Sequence, residues 1–220
     1  MNFDILTLQR AIPLLSLVPM LLAGLVAALT YRQQTANLRA LAWLLAFAIP
    51  INLLAIVFAL QHRNNLFLLP IDAVGEIALL AVVYARTLQT AWFTRLMPFL
   101  VGSFAAYVAL DSWLGADLAH FRPGQQVVSC LLELLLLGLY FRKLLRELHV
   151  THLHREPMFW VSAGLLIYAA GYLQIALFSN YLMQVHYSQQ LTLRIWAINS
   201  LLFAALYCCY TRALWLSPRN

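Results

Sequence analysis

The chain has 220 residues, of which 63% are apolar and only 10% are charged, and its net charge is +6 at neutral pH. Soluble domains contain roughly 25% charged residues. This composition therefore excludes a soluble globular protein and indicates a polytopic membrane protein. The excess of basic residues favours contact with anionic lipid headgroups. Nucleic acid is not an expected partner, because the sequence has no groove-forming pattern of basic and aromatic residues.

Seven apolar segments are long enough to cross a bilayer, which takes ~20 residues of helix. In chain order, they cover approximately residues 12–30, 40–60, 66–85, 96–114, 125–141, 158–178 and 195–210. The first of them is predicted to be a retained helix and not a cleaved signal peptide, because no small-residue cleavage site follows it before Tyr31. We therefore predict that residues 1–220 form a single all-α domain, a bundle of seven transmembrane helices.

The positions of arginine and lysine predict the orientation, because cytoplasmic loops carry an excess of both. Four basic residues lie on the side of the N-terminus, and the other ten lie on the opposite side. The sequence therefore predicts an outside N-terminus and a cytoplasmic C-terminus. The predicted cytoplasmic loop from Arg142 to Arg155 could dock a protein partner, although anchoring to lipid explains its charge equally well.

The last six spans are consistent with three copies of one helical hairpin. Each copy ends with an aromatic residue and an arginine, in Tyr84-Ala-Arg86, Tyr140-Phe-Arg142 and Tyr210-Thr-Arg212. Each copy also has one histidine in its outer loop, at His62, His120 and His186. The alternative is that these features are unrelated, since aromatic and basic residues occur at the cytoplasmic ends of many spans. If the copies are true repeats, the architecture is one helix plus three hairpins.

Acidic residues inside the predicted spans are the main functional signal. Each costs ~2.5–3.5 kcal/mol to insert, so such residues face cavities, form pairs or have a function. Asp72 and Glu76 are four residues apart and share one helix face, while Glu133 lies at a similar depth and Asp111 lies near an outer end. Five uncharged polar residues at comparable depth are further candidates: Asn52, Tyr168, Tyr172, Gln174 and Asn199.

All nine of these residues are candidate ligand-binding residues. The inner halves of the spans consist almost entirely of Leu, Ala, Val and Ile, so the polar groups are expected to converge on a cavity that opens outward and is closed inward. No basic residue lies at that depth, so the carboxyl groups are expected to be protonated or to hold a cation. Such a pocket suits a small cationic or polyhydroxylated ligand, or a proton. The alternative is hydrogen bonding between helices, worth about 1 kcal/mol per contact, or simple solvation for Asp111.

Metal and cofactor sites have weaker support. The outer-loop histidines His62, His120 and His186 could bind zinc if the hairpins surround an axis, with Asp111 or Asp117 as a further ligand. The histidines of the segment 147–156 could also bind a metal, although a solvated basic loop explains that segment as well. The only lysine, Lys143, falls in a predicted cytoplasmic loop, so no span can form a retinal Schiff base. No cofactor is predicted.

Three short segments carry a resemblance to known proteins. Glu76-Ile-Ala-Leu-Leu, Glu133-Leu-Leu-Leu-Leu and Ile198-Asn199-Ser-Leu-Leu resemble segments of small uncharacterised seven-span bacterial membrane proteins. In that group a glutamate leads a leucine-rich stretch and an asparagine lies in the last span. The resemblance implies a seven-helix bundle in the bacterial inner membrane. It implies no activity and no site residue.

Three functions are compatible with these observations. The first is a receptor-like or accessory membrane module, not an enzyme, that binds a small polar or cationic ligand in an outward-facing acidic pocket. The second is a proton-coupled small-molecule transporter. The third is an intramembrane lipid-modifying enzyme whose acids serve as general acid and base or as metal ligands. The sequence contains no nucleophile elbow, phosphate-binding loop or Cys-x-x-Cys motif to favour the enzyme.

Overall fold

The computed structural model describes the backbone of residues 5–61, 63–114, 122–147, 153–184 and 189–216. Side chains are described for residues 16–61, 63–114, 122–146, 153–178 and 194–216. The seven α-helices in these ranges are α1 Ile5–Thr30, α2 Ala36–Leu60, α3 Leu68–Leu88, α4 Ala91–Leu114, α5 Pro123–Glu147, α6 Pro157–Gln184 and α7 Gln189–Trp215. These ranges contain no β-strand, so the prediction of an all-α fold is confirmed.

Six of these helices, all except α5, are long and apolar enough to cross a membrane. They indicate an integral membrane protein. Helix α5 is more polar because it contains two glutamines near its start, Glu133 in the middle and three basic residues in its last six positions. The prediction that seven helices span the membrane, and in which orientation, therefore stays a prediction.

The helices pack as a ring. Helix α1 contacts α2 and α7, α3 contacts α2 and α5, and α6 contacts α5 and α7, so these six helices close a circle. Helix α4 lies outside the circle and packs mainly against α3. The hairpins α2–α3 and α6–α7 are therefore close pairs, whereas α5 packs chiefly on α3 and α6. The middle pair, α4 and α5, is not a close pair, so the three predicted hairpins are not packed in equivalent ways.

Hydrogen bonds show which helix ends meet at one side of the ring. The Arg86 side chain at the end of α3 donates to the Ala36 carbonyl at the start of α2, at 2.7 Å. The Lys143 ammonium near the end of α5 donates to the carbonyls of Thr87 and Leu88 in the last turn of α3, at 3.1 Å each. A cation there also complements the helix dipole of α3. We call this side, where α2 begins and α3 and α5 end, the basic end.

The predicted loop that begins at Arg142 is wrong in its first part. Helix α5 continues to Glu147, so Arg142, Lys143 and Arg146 are helical residues. The predicted span ends just before Arg142, because a membrane span is expected to end where the charged residues begin. Within this last part of α5, Lys143 lies against the end of α3 and donates to two of its backbone carbonyls.

The half of the ring nearest the basic end is densely packed. Each of the six ring helices contributes side chains with at most 5% of their surface exposed, such as Met20, Leu41, Tyr84, Leu137, Leu165 and Tyr210. Burial of such side chains stabilises the fold by ~1.5–3 kcal/mol each in water. In the membrane, close packing and hydrogen bonding take over much of that role. The ring is thus filled at this end.

Candidate functional site

A cavity of about 50 Å³ lies between α3, α5 and α6 in the half of the ring that is far from the basic end. The structure brings three of the predicted acids and two of the predicted tyrosines to this cavity. Its lining residues are Leu69, Asp72, Ala73, Glu76, Gln126, Ser129, Cys130, Glu133, Tyr168 and Tyr172. We refer to Asp72, Glu76 and Glu133 as the carboxyl cluster.

Helix α3 supplies two of the three acids. Asp72 lies four residues after the first residue of α3, and Glu76 lies one turn further along. With a rise of 1.5 Å per residue, they lie ~6 Å and ~12 Å along the helix from its start. Both are only partly exposed, whereas Ala73 and Ile77 beside them are buried against α4. Packing against α4 on one side thus directs the acidic face of α3 into the ring.

Helix α5 supplies the third acid at the end of a polar stripe. Gln126, Ser129 and Glu133 follow one another at spacings of three and four residues and are all buried. The Ser129 hydroxyl lies 3.3 Å from Oε1 of Glu133, and Oε2 of Glu133 has no hydrogen-bond partner among the described residues. Glu133 is only 2% exposed, so this oxygen depends on the contents of the cavity for a partner.

Helix α6 closes the cavity with two aromatic rings. Tyr168 and Tyr172 are one turn apart, and their rings stack at a centroid distance of 5.6 Å with an interplanar angle of 6°. Both tyrosines line the cavity together with Glu76 and Glu133. Tyr168 also contacts Phe203 of α7 edge-on at 5.9 Å. The tyrosines therefore give the cavity both an apolar wall and two hydroxyl groups near the carboxyl cluster.

None of the described residues that line the cavity has a basic side chain. Within the described ranges, no group of three or more His, Cys, Asp and Glu side chains is arranged to hold a metal ion. The carboxyl cluster is thus not a preformed metal site, although its oxygens remain the natural acceptors for a proton or a small cation. His62, His120 and His186, the candidates for a zinc site, lie outside the described residues.

Asp111 has a different environment from the carboxyl cluster. Its carboxylate forms an ion pair with Arg122 at 3.1 Å and accepts a hydrogen bond from the Gln125 side chain at 2.6 Å. The expectation that the acids lack a basic counterpart is therefore wrong for Asp111. Arg122 lies just before α5, at the end of the bundle opposite the basic end, where a long side chain can reach the last turn of α4. Asp111 does not line the cavity.

Three other predicted residues also lie away from the cavity lining. The Asn52 amide donates to the Ala48 carbonyl one turn earlier in α2, at 3.0 Å. Gln174 is exposed on the outside of α6. The side-chain oxygen of Asn199 in α7 is buried and has no hydrogen-bond partner among the described residues. Their predicted role in ligand binding stays untested, and none of them contributes to the cavity described here.

Gln126 and Ser129 line the cavity but are not among the residues predicted from the sequence. Their spacing from Glu133 was the available signal, since polar residues three and four apart on a helix lie on one face. The prediction that the inner halves of the spans are almost purely aliphatic is incomplete. The structure shows buried hydroxyls there: Tyr84 and Ser162 are hydrogen-bonded at 3.0 Å, and the hydroxyls of Tyr140 and Tyr210 have no partner in the described part of the chain.

No protein-family model, curated protein or solved structure matches this chain. The resemblance to small seven-span bacterial membrane proteins accordingly stays an expectation from three short segments. The function has to be inferred from the chemistry of the cavity itself.

Proposed function

We propose that this protein is a receptor-like or accessory module of the bacterial inner membrane that binds a small cation, no larger than ammonium, at the carboxyl cluster. One observation carries the proposal: three carboxyl groups converge on one small cavity, and none of the described side chains that line it is basic. We further propose that α5 is a seventh span, since it packs between α3 and α6 in the ring. The basic end is then cytoplasmic, and the cavity lies toward the outside.

Electrostatics favours a cationic occupant. Removing an ionised carboxylate from water costs several kcal/mol unless an opposite charge or several hydrogen bonds compensate. Among the described side chains, Ser129 is the one within hydrogen-bonding distance of Glu133, and the other two acids of the cluster add negative charge when ionised. A proton or a cation that enters the cavity relieves both the desolvation and the repulsion. Binding of a proton or a cation therefore changes the net charge of the carboxyl cluster.

The size of the cavity restricts the occupant. Pockets for organic ligands measure ~300–1,000 Å³, whereas this cavity measures about 50 Å³. That volume accommodates a few water molecules. A polyhydroxylated ligand does not fit without expansion of the ring, so the proposal is limited to protons and small cations.

Thermal unfolding of the purified protein in detergent tests this proposal. Ammonium, sodium and potassium chloride are the probes, choline chloride is the control for size, and pH is varied separately. We expect one small cation, or the proton, to raise the unfolding temperature, since a ligand at 100 times its Kd stabilises by ~2.7 kcal/mol. Glu76→Gln and Glu133→Gln should abolish the shift, because each removes a charge from the cluster.

Glu156→Gln is the matched control, because Glu156 is exposed and lies outside the cavity. This variant should respond as the wild type does. An unchanged response in both Glu76→Gln and Glu133→Gln would remove the carboxyl cluster as the binding site. A response to choline equal to that of ammonium would contradict the size limit.

A proton-coupled transporter is the second candidate. The buried hydroxyls of Tyr84, Ser162, Tyr140 and Tyr210 favour it, because they extend polar groups from the cavity toward the basic end. Proteoliposomes with a trapped pH-sensitive dye and an imposed pH gradient test it. A transporter should show proton flux that Glu133→Gln abolishes, and the absence of flux in the wild type would count against it. A lipid-modifying enzyme with metal-bound acids gains no support from the described residues.

A further inference from the structure

An open apolar groove of about 640 Å³ runs between α1 and α2 on the outer surface of the ring. Small residues, among them Ala27 and Ala28 of α1 and Ala42 and Ala46 of α2, form much of its lining and leave room between the two helices. Along α1 the groove extends from Leu21 to Tyr31, which corresponds to ~15 Å of helix. That length equals about half of a bilayer hydrocarbon core, or one leaflet.

The groove ends at the basic end in an aromatic pair. The indole nitrogen of Trp43 donates to the hydroxyl of Tyr31 at 3.1 Å, and both rings line the groove. Tryptophan and tyrosine favour the level of the lipid headgroups. This pair therefore marks the place where the hydrocarbon part of a bound lipid would end and its headgroup would begin.

Two arginines lie next to this pair. Arg32 follows Tyr31 in sequence, and Arg39 precedes Trp43 by one helical turn. The Arg39 guanidinium donates to the backbone carbonyl of Arg32 at 3.2 Å, which holds the two residues together. Both are exposed, and neither forms an ion pair within the part of the chain that the structure describes. Two arginine side chains that start this close together can both reach one phosphate.

We propose that this groove is a binding site for one anionic phospholipid. One acyl chain lies in the groove between α1 and α2, and the phosphate binds Arg32 and Arg39 at the basic end. The complementary charge selects an anionic lipid over a zwitterionic one, and the length of the groove matches a single leaflet. The site lies on the opposite side of α2 from α3, so this proposal does not depend on a cation in the carboxyl cluster.

Native mass spectrometry of the full chain in detergent tests the site, with dioleoyl phosphatidylglycerol and dioleoyl phosphatidylcholine as probes. We expect one phosphatidylglycerol to bind in preference to phosphatidylcholine. The double variant Arg32→Gln/Arg39→Gln should weaken phosphatidylglycerol binding roughly 30-fold, given the usual contribution of two basic residues at an anionic surface. Ala28→Leu should weaken binding of both lipids, because it fills the groove.

Matched controls come from α4. Arg95→Gln removes an exposed arginine elsewhere, and Ala106→Leu enlarges an exposed alanine far from the groove; both should leave lipid binding unchanged. Equal binding of phosphatidylglycerol to the wild type and the double arginine variant would overturn the proposal. A wild-type dimer that carries no lipid and that Ala28→Leu dissociates would also overturn it, because the groove would then be an interface between two copies of the chain.

Discussion

Replacement of Glu133 by methionine is expected to stabilise the protein by about 1–3 kcal/mol, the cost of leaving a buried polar group without a partner. Glu133 is 2% exposed, and its Oε2 has no hydrogen-bond partner among the described residues. Methionine has a similar length and volume and adapts its shape to the space available. Buried charged groups can often be replaced in this way with neutral or stabilising effect. The same variant should lose the response to cations.

The unfolding temperature in detergent measures this effect, with Glu156→Met as the exposed control. The comparison separates a functional acid from a structural one. If Glu133 served to hold α5 to its neighbours, methionine would remove that interaction and lower the unfolding temperature. A destabilised Glu133→Met variant with a normal cation response would contradict the proposed role. The Ser129 hydroxyl would have a hydrogen-bond acceptor in either case, because a serine in a helix can donate to the backbone carbonyl one turn earlier.

Replacement of Leu137 by alanine is expected to destabilise the protein by about 2–5 kcal/mol, as large-to-small substitutions in packed cores do. Leu137 is 1% exposed and lies one turn beyond Glu133 on α5, toward the basic end. It belongs to the packed half of the ring that separates the cavity from the basic end. Alanine would leave a void directly beside the carboxyl cluster.

Leu135→Ala is the matched control, because Leu135 is on the same helix but is 51% exposed. This variant should change the unfolding free energy far less than Leu137→Ala. Chemical denaturation in mixed micelles would measure both variants. Equal effects for the two leucines would mean that the ring is not filled at this level, and the argument for a cavity closed toward the basic end would fail.

The sequence was sufficient to predict the helices, and the reason is physical. Apolar segments of bilayer length have few alternatives to a helix, because backbone groups in hydrocarbon must be hydrogen-bonded within the segment. Each of the seven predicted segments therefore falls within an observed helix or begins one turn or less before it. The residues at which the helices end were less predictable. Lys143 illustrates this, since it lies inside α5, where its ammonium contacts carbonyls of α3 in a distant part of the chain.

The site was predicted in part. Asp72 and Glu76 could be placed together from their spacing on one helix, and the cost of burying acids suggested a shared cavity with Glu133. The sequence does not show which helices are neighbours. Helices α3, α5 and α6 surround the cavity because of their order around the ring, and that order could not be deduced from the sequence. Gln174 could not be excluded for the same reason, since its exposed position depends on which face of α6 meets α5.

Asp111 shows a second limit. Arg122 is in a loop by sequence, so it was counted at the membrane surface and not as a partner of an acid in a span. The long arginine side chain nevertheless reaches the last turn of α4 and pairs with Asp111. Long basic side chains near helix ends commonly extend in this way between the surface and the interior.

A hydrated cavity around the carboxyl cluster is the central claim, and hydroxyl-radical footprinting by X-ray radiolysis tests it most directly. The radicals form from water in place, so they oxidise side chains that contact buried water. Cys130 and Tyr172 line the cavity, whereas Tyr84 and Tyr210 lie in the packed half, and none of the four is more than 9% exposed. We predict rapid oxidation of Cys130 and Tyr172 and protection of Tyr84 and Tyr210. Equal protection of all four residues would contradict the account.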